Sequence, residues 1–177
     1  MPSIDLTNVQ EATGAFDIEP GGYVMVITGV DPQPNDQRCF LKLDVAEGPQ
    51  AGFYKGSQYP ISEMLSWKPK ALGFLKHKLH VIADSNTGFD PVAAFQSDQW
   101  QAFVGKHVGA IVRKQLYTWE GQDRERAEVA EIVTPDEVRS GSFRVPAPRD
   151  RRDRSAAAPA PSVPAAPTAP ATSFPWE

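Results

Sequence analysis

The chain has 177 residues and a formal net charge of −4, room for one domain of about 100–150 residues and an appendage but not for two cores. An acidic total argues at first against nucleic acid, whose binders usually carry a basic footprint. The single cysteine, Cys39, excludes an internal disulfide framework and suits a reducing compartment. Eight of the 17 prolines fall in the last 34 residues, among alanines and few large apolar side chains. That composition cannot bury a core. The expected division is a domain over 1–143, a disordered linker over 144–171 that is rich first in Arg and then in Ala and Pro, and a tip over 172–177. No signal-peptide pattern opens the chain and no stretch approaches 18 apolar residues, so a soluble cytoplasmic protein with no membrane partner is expected.

The net charge hides a segregation. Residues 1–52 carry eight acids against Arg38 and Lys42, a net −6, whereas residues 53–118 carry eight lysines and arginines against four acids, a net +4. Residues 119–143 return to −4 and the remainder to +2.

In chain order, Gly22–Val30 is rich in β-branched residues and ends at the polar, proline-bearing run 31–36. From Gln37 to Ala46 the pattern has period two, with Cys39, Leu41, Leu43 and Val45 on one face and Arg38, Phe40, Lys42 and Asp44 on the other. These two runs predict a β-hairpin with a long loop. Ala51–Tyr59 is expected as a third strand, stopped by Pro60. Leu72, Leu75, Leu79 and Ile82 then recur at helical spacing after Pro69, predicting an amphipathic helix over 69–84. Ser97-Asp98-Gln99 is expected to cap a short second helix through Val104. His107–Trp119 and Arg124–Val133 flank the turn Glu120–Asp123 as a second hairpin, and Thr134–Arg139 has the signature of a capped helical turn. Strands with one helix between the third and fourth are the plan of a five-stranded OB-fold barrel, so the fold class expected is mainly β and OB-like.

Catalytic patterns are absent. Gly105-Lys106-His107 lacks the upstream glycine and the Ser/Thr of a phosphate-cradling loop. His77 and His80 have too few companions for a metal site. Glu125, Glu128 and Glu131 read as solubilising charge on a sheet edge rather than acid–base groups. No enzyme activity, cofactor or metal is expected.

Single strands of nucleic acid are held by aromatic faces on which bases stack, with cations nearby for the phosphates. Arg38-x-Phe40-x-Lys42 places an aromatic ring between two cations on the face opposite the apolar one. Arg113-x-Gln115-x-Tyr117-x-Trp119, followed across the turn by Arg124 and Arg126, is a second such group. Phe53, Tyr54, Lys55, Tyr59, Trp67, Lys68 and Lys70 form a third. Candidate stacking residues are therefore Phe40, Tyr54, Trp67, Tyr117 and Trp119. Candidate phosphate contacts are Arg38, Lys42, Lys55, Lys68, Lys70, Arg113, Lys114, Arg124 and Arg126. Arg144, Arg149, Arg151, Arg152 and Arg154, offset by Asp150 and Asp153, form a basic hinge. Beyond it an Ala/Pro spacer leads to Phe174, Pro175, Trp176 and Glu177, an aromatic tip that reads as a docking motif for a protein partner.

The run Phe103-Val104-Gly105-Lys106, then Arg113, Tyr117, Gly121 and the stretch from Val133 through Arg139-Ser140-Gly141-Ser142-Phe143 to Pro146, resembles the C-terminal half of a family of phage and prophage single-stranded DNA-binding proteins. That family was long catalogued only as a domain of unknown function. Gly22-Tyr23, Leu41-x-Leu43-x-Val45, Glu47-Gly48-Pro49, Gly52 and Trp67-x-Pro69-Lys70-Ala71 agree with its N-terminal half. The resemblance implies an OB-like fold, no enzymatic activity, and sequence-independent binding of single strands in replication or recombination. The layout of domain, linker and tip is also similar to bacterial single-stranded DNA-binding proteins, whose tip recruits replication and repair enzymes. Theirs is a run of acids, whereas this tip has one acidic side chain, Glu177. Two other readings stay open, a β-barrel adaptor that works through protein contacts and a single-stranded RNA binder. The sequence leaves homo-oligomerisation open as well.

Overall fold

The structure, a computed structural model, describes residues 17–153. The expected N-terminal end of the domain and the linker and tip beyond Asp153 lie outside the described residues. Six strands, β1 (Gly21–Gln33), β2 (Arg38–Val45), β3 (Ser62–Ser66), β4 (His107–Trp119), β5 (Gln122–Val133) and β6 (Arg149–Arg151), form one sheet. Along its main path the order is β3-β2-β1-β4-β5, all antiparallel, and β6 adds in parallel to β4. Helix α1 (Leu72–Ser85) connects β3 toward β4, followed by α2 (Pro91–Gln96), and α3 (Pro135–Ser140) follows β5. β3 and β5, at the two ends of the path, approach each other, and α1 lies across β3, β4 and β5. A curled sheet with that order and a helix between its third and fourth strands is the OB-like plan.

The period-two reading of β2 holds as far as Leu43: Cys39, Leu41, Leu43 and Val45 are buried while Arg38 and Phe40 are half-buried and Lys42 exposed, but Asp44, expected on the opposite face, is buried as well. The buried apolar residues of β2 join Met25 and Ile27 of β1, Leu65 of β3, Leu75, Leu79 and Ile82 of α1, Phe103, and Val108, Ala110 and Val112 of β4 in one core. Each such aliphatic side chain contributes about 1.5–3 kcal/mol on burial.

Several boundaries differ from expectation, each for a local reason. The first hairpin loop is short, because β1 continues through Asp31-Pro32-Gln33 and only the turn Pro34–Asp36 separates it from β2. β4 pairs with Gly21–Val26 alone. Pro32 therefore sits in the half of β1 with a neighbour on one side, where a residue without an N–H is tolerated. Ala51–Tyr59 is not a strand. Gly48, Gly52 and Gly56 have φ of 83°, 76° and 76°, a left-handed backbone that breaks extended structure, and successive turns carry the chain there. The Asp44 carboxylate accepts the backbone N–H groups of Val45 and Tyr54, both at 2.8 Å, and fastens this loop to β2. The third strand begins beyond Pro60 instead.

The short second helix expected after Ser97-Asp98-Gln99 appears as a 3-10 turn, and an additional helix, α2, precedes it. Asp90 caps α2 by accepting the Ala93 N–H at 3.0 Å, Pro91 occupies its first turn, and Ser97 ends it, with a single 3-10 turn at Trp100–Phe103 after it. The second hairpin turns on Glu120 and Gly121 alone, with φ of 50° and 73°, the paired positive values of a tight two-residue hairpin turn. Glu125 and Glu128, in one unbroken register, point to opposite faces, and a bulge between Val129 and Glu131, where Ile111 faces Glu131 but Val112 faces Val129, breaks the alternation only beyond Glu128. α3 carries a full capping box between Thr134 and Glu137 and ends on Gly141 at φ 72°. Residues 144–153, expected as a hinge outside the domain, lie on the sheet as β6 and its approach.

Candidate nucleic-acid interface

A groove of about 860 Å³ runs between the β2–β3 side and the β4–β5 side, within the range of ligand-sized sites. Phe40, Tyr59 and Met64 line one side. Arg113, Gln115 and Tyr117 of β4, Arg126 and Glu128 of β5, and Arg149 and Arg151 of β6 line the other, with Lys78 of α1 and Asp17 also in the lining. Cross-strand pairing explains the grouping. Arg113 stands opposite Glu128, Gln115 opposite Arg126 and Tyr117 opposite Arg124, and directly paired residues share a face.

The groove's polar groups are engaged in specific ways. Arg113 Nε bonds the Glu128 carboxylate at 2.7 Å. Arg126 Nε donates to Gln115 Oε1 at 2.5 Å and its guanidinium lies 5.1 Å from the Tyr117 ring centroid, a cation–π contact. Gln115 is 1 % exposed, so Arg126 satisfies an amide that burial would otherwise leave wanting. Lys78 pairs with the buried Glu63 carboxylate and donates to the Met64 carbonyl at 2.8 Å. Burial pushes the Glu63 carboxyl above the usual carboxylate range and the Lys78 charge opposes the shift. Arg38, paired with Asp36 at 3.1 Å and with Gln33 at 2.8 Å, covers Phe40 with its guanidinium 5.1 Å from the ring centroid. Tyr59, 84 % exposed, has its ring in solvent at the groove rim.

The structure thus gathers Phe40, Arg113, Tyr117 and Arg126 in one groove and puts Arg124 on the same face of the β4–β5 hairpin. It separates the others. Tyr54 is a core residue, 4 % exposed, whose hydroxyl accepts the Ile18 N–H at 3.3 Å and reaches Asp17 at 3.5 Å. Burial pushes its phenol up to about 12. No base can stack on it. Trp67 is packed against Phe95 and Trp100 at ring separations of 5.6 and 5.8 Å, away from the groove lining. Lys42, Lys55, Lys68 and Lys70 are exposed outside that lining. Lys114 lies on the opposite face of β4 and pairs with Glu125 at 3.1 Å. Trp119, 58 % exposed, sits at the hairpin tip beyond the lining.

Tyr59, Arg149 and Arg151 also line the groove, where the sequence reading named Tyr59 only within the third aromatic and basic group and the two arginines only within the hinge. Tyr59 precedes a proline and shows no alternation, and a three-residue parallel strand such as the one that holds Arg149 and Arg151 carries no periodicity of its own. Among the described residues no cluster of His, Cys, Asp and Glu is suited to a metal, and no helix is long and apolar enough to cross a membrane.

No family model and no curated protein matches the chain. Among solved structures it is similar to yeast RPA bound to ssDNA, at 11 % identity and a TM-score of 0.31 over 72 % of this chain and 83 % of that one. A likeness that distant carries no functional argument. The chemistry of the groove has to supply one.

A second, smaller cavity of about 280 Å³ shares no residue with the groove. It is lined by Gly22, Tyr23, Val24, Glu47–Gln50, Val138 and Arg139. Here Arg139 bonds Glu47 through two nitrogens, at 2.5 and 3.1 Å, and Asp136 at 3.0 Å. The Phe143 ring occupies the space a side chain on Gly22 would need.

Proposed function

We propose that the chain is a non-enzymatic, sequence-independent single-stranded DNA-binding protein that acts in DNA replication or recombination, in a bacterial or phage-infected cell. The observation that carries this reading is the groove, where Phe40, Tyr59 and Tyr117 present aromatic rings among arginines. Aromatic rings offer every base a π-face, which makes such binding tolerant of sequence, and arginine suits phosphate. Recruitment of replication or recombination proteins through Phe174, Pro175, Trp176 and Glu177 belongs to the same proposal and rests on the sequence of the tip.

Fluorescence anisotropy of a labelled oligo-dT, titrated with the full chain at low salt, tests the reading. Saturable binding is expected, with similar affinity for mixed sequence, weaker affinity for duplex, and a decline as salt rises. No anisotropy change at low salt overturns it in favour of the protein-adaptor reading. An RNA oligomer that binds more tightly than its DNA counterpart overturns the DNA assignment alone.

A further inference from the structure

We propose that residues 144–153 are a strap belonging to the strand-binding surface, and that Arg149 and Arg151 contact the phosphates of a single strand held in the groove. The inference rests on the single-strand reading above and deepens it. β1 leaves β4 at the pair Gly21–Val112, and β6 pairs with β4 from Gln115–Arg149 to Tyr117–Arg151, so the strap occupies an edge that β1 has vacated. It is held at both ends. Phe143 packs over Gly22 before it. At its far end, Asp153 donates its N–H to Thr118 Oγ1 at 2.9 Å and Arg152, paired within the strap with Asp150 at 2.8 Å, reaches Asp123 at 3.7 Å.

Alternation along β6 sends Arg149 and Arg151 to the groove, while Asp150 is absent from its lining. Without them the lining would be neutral, since Lys78, Arg113 and Arg126 are matched in number by Asp17, Glu63 and Glu128. The two strap arginines therefore supply the whole cationic excess. Among the described residues neither forms a salt bridge, whereas Lys78 and Arg113 in the same groove are paired with Glu63 and Glu128. Unpaired guanidinium groups lining a groove with stacking rings are placed for a polyanion.

The test compares the full-length wild type with the double variant R149Q/R151Q by oligo-dT anisotropy across a salt series, with thermal melts to show that both are folded. Each phosphate contact on a single strand contributes about 0.7 to the slope of log K against log salt. Losing two should reduce the slope by about 1.4. Between 50 and 200 mM salt the wild type should then lose roughly sevenfold more affinity than the variant. R149K/R151K, which keeps the charge, should keep the wild-type slope. An R149Q/R151Q protein with the wild-type slope, or with tighter binding because the strap merely covers the groove, overturns the proposal while leaving the single-strand reading intact. A wild type that binds no strand overturns both.

Discussion

Phe40 and Tyr54 carry the same expectation in the sequence and opposite positions in the structure, so substituting each separates binding from folding. Phe40 is half-buried at the groove with the Arg38 guanidinium over its ring. Phe40→Ala removes one stacking platform, worth about 1–3 kcal/mol per base, or roughly fivefold to 150-fold in affinity. Because much of the ring is buried, stability should also fall, by less than the roughly 3–5 kcal/mol of a fully buried Phe, so the affinity is compared at a temperature where the melts show both proteins folded. Tyr54→Phe keeps the ring and removes a hydroxyl that accepts the Ile18 N–H. Leaving a buried donor unsatisfied costs about 1–3 kcal/mol, which is roughly 3–10 °C in melting temperature for a domain of this size. Asp17, the other partner of that hydroxyl, keeps its bond from the Ala127 N–H at 3.0 Å, so the groove rim stays in place and affinity should be unchanged. Oligo-dT anisotropy and thermal melts on the two variants check both halves. A Phe40→Ala protein that binds like wild type, or a Tyr54→Phe protein that loses affinity with an unaltered melt, would refute the assignment of these rings.

A methyl group at Gly109 would stand 2.7 Å from the Thr134 carbonyl and 2.8 and 2.9 Å from Val138 and Val133. Gly109→Ala should therefore cost about 3 kcal/mol, since the obstacle includes backbone, and lower the melting temperature by roughly 10 °C. Glu137 accepts the Thr134 N–H at 2.7 Å and its hydroxyl at 2.9 Å, and these bonds hold its carboxyl below the ordinary value of 4.5. A carboxyl depressed in the folded state stabilises the fold above its unfolded pKa and loses that contribution as pH falls through the folded one. The wild-type melting temperature should thus fall more steeply than that of Glu137→Gln below about pH 4.5. Thr134→Ala, which removes the cap itself, should cost about 1 kcal/mol at neutral pH by denaturant unfolding. Because Trp119 lies beyond the groove lining and Tyr117 within it, Tyr117→Ala should weaken strand binding in the anisotropy titration and Trp119→Ala should leave it within about twofold.

The elements legible in the sequence are those whose signal is periodic. β2 alternates without interruption, α1 repeats at three and four, and the capping box of α3 is written in Thr134 and Glu137 themselves. Ala51–Tyr59 misled because aromatic residues there resemble a strand, while the decisive residues are the glycines that force turns. The site was partly legible for the same reason. Phe40 and Tyr117 are legible because each opposes an apolar face of a strand, which period two marks. Tyr54 and Trp67 lie in irregular or junction segments, where no period says which way a ring points. For Tyr54 the buried carboxylate of Asp44 settles it by capturing the loop's backbone, and for Trp67 the packing against Phe95 and Trp100 does. The pairing of Lys114 with Glu125, and of Arg113 with Glu128, depends on register, which the two-residue turn at Glu120 and Gly121 sets.

Most residues behind the resemblance to phage single-stranded DNA-binding proteins have structural duties in this chain. Gly22 admits the Phe143 ring, Glu47 holds Arg139, Gly141 ends α3, Gly121 makes the hairpin turn, and Gly105, at φ 83°, donates its N–H to Ile27. Arg139 is already bound to two carboxylates, so the most distinctive stretch, Arg139 to Phe143, describes a latch between α3 and β1 and touches no part of the groove. Of the residues quoted for the resemblance only Arg113 and Tyr117 line it. A chain that kept the latch and lost the groove would match the same pattern without binding a strand. The latch therefore belongs to the packing of α3 on β1, and the proposed strand binding stands or falls on the groove and strap residues Phe40, Tyr117, Arg126, Arg149 and Arg151, whose removal leaves the latch contacts untouched.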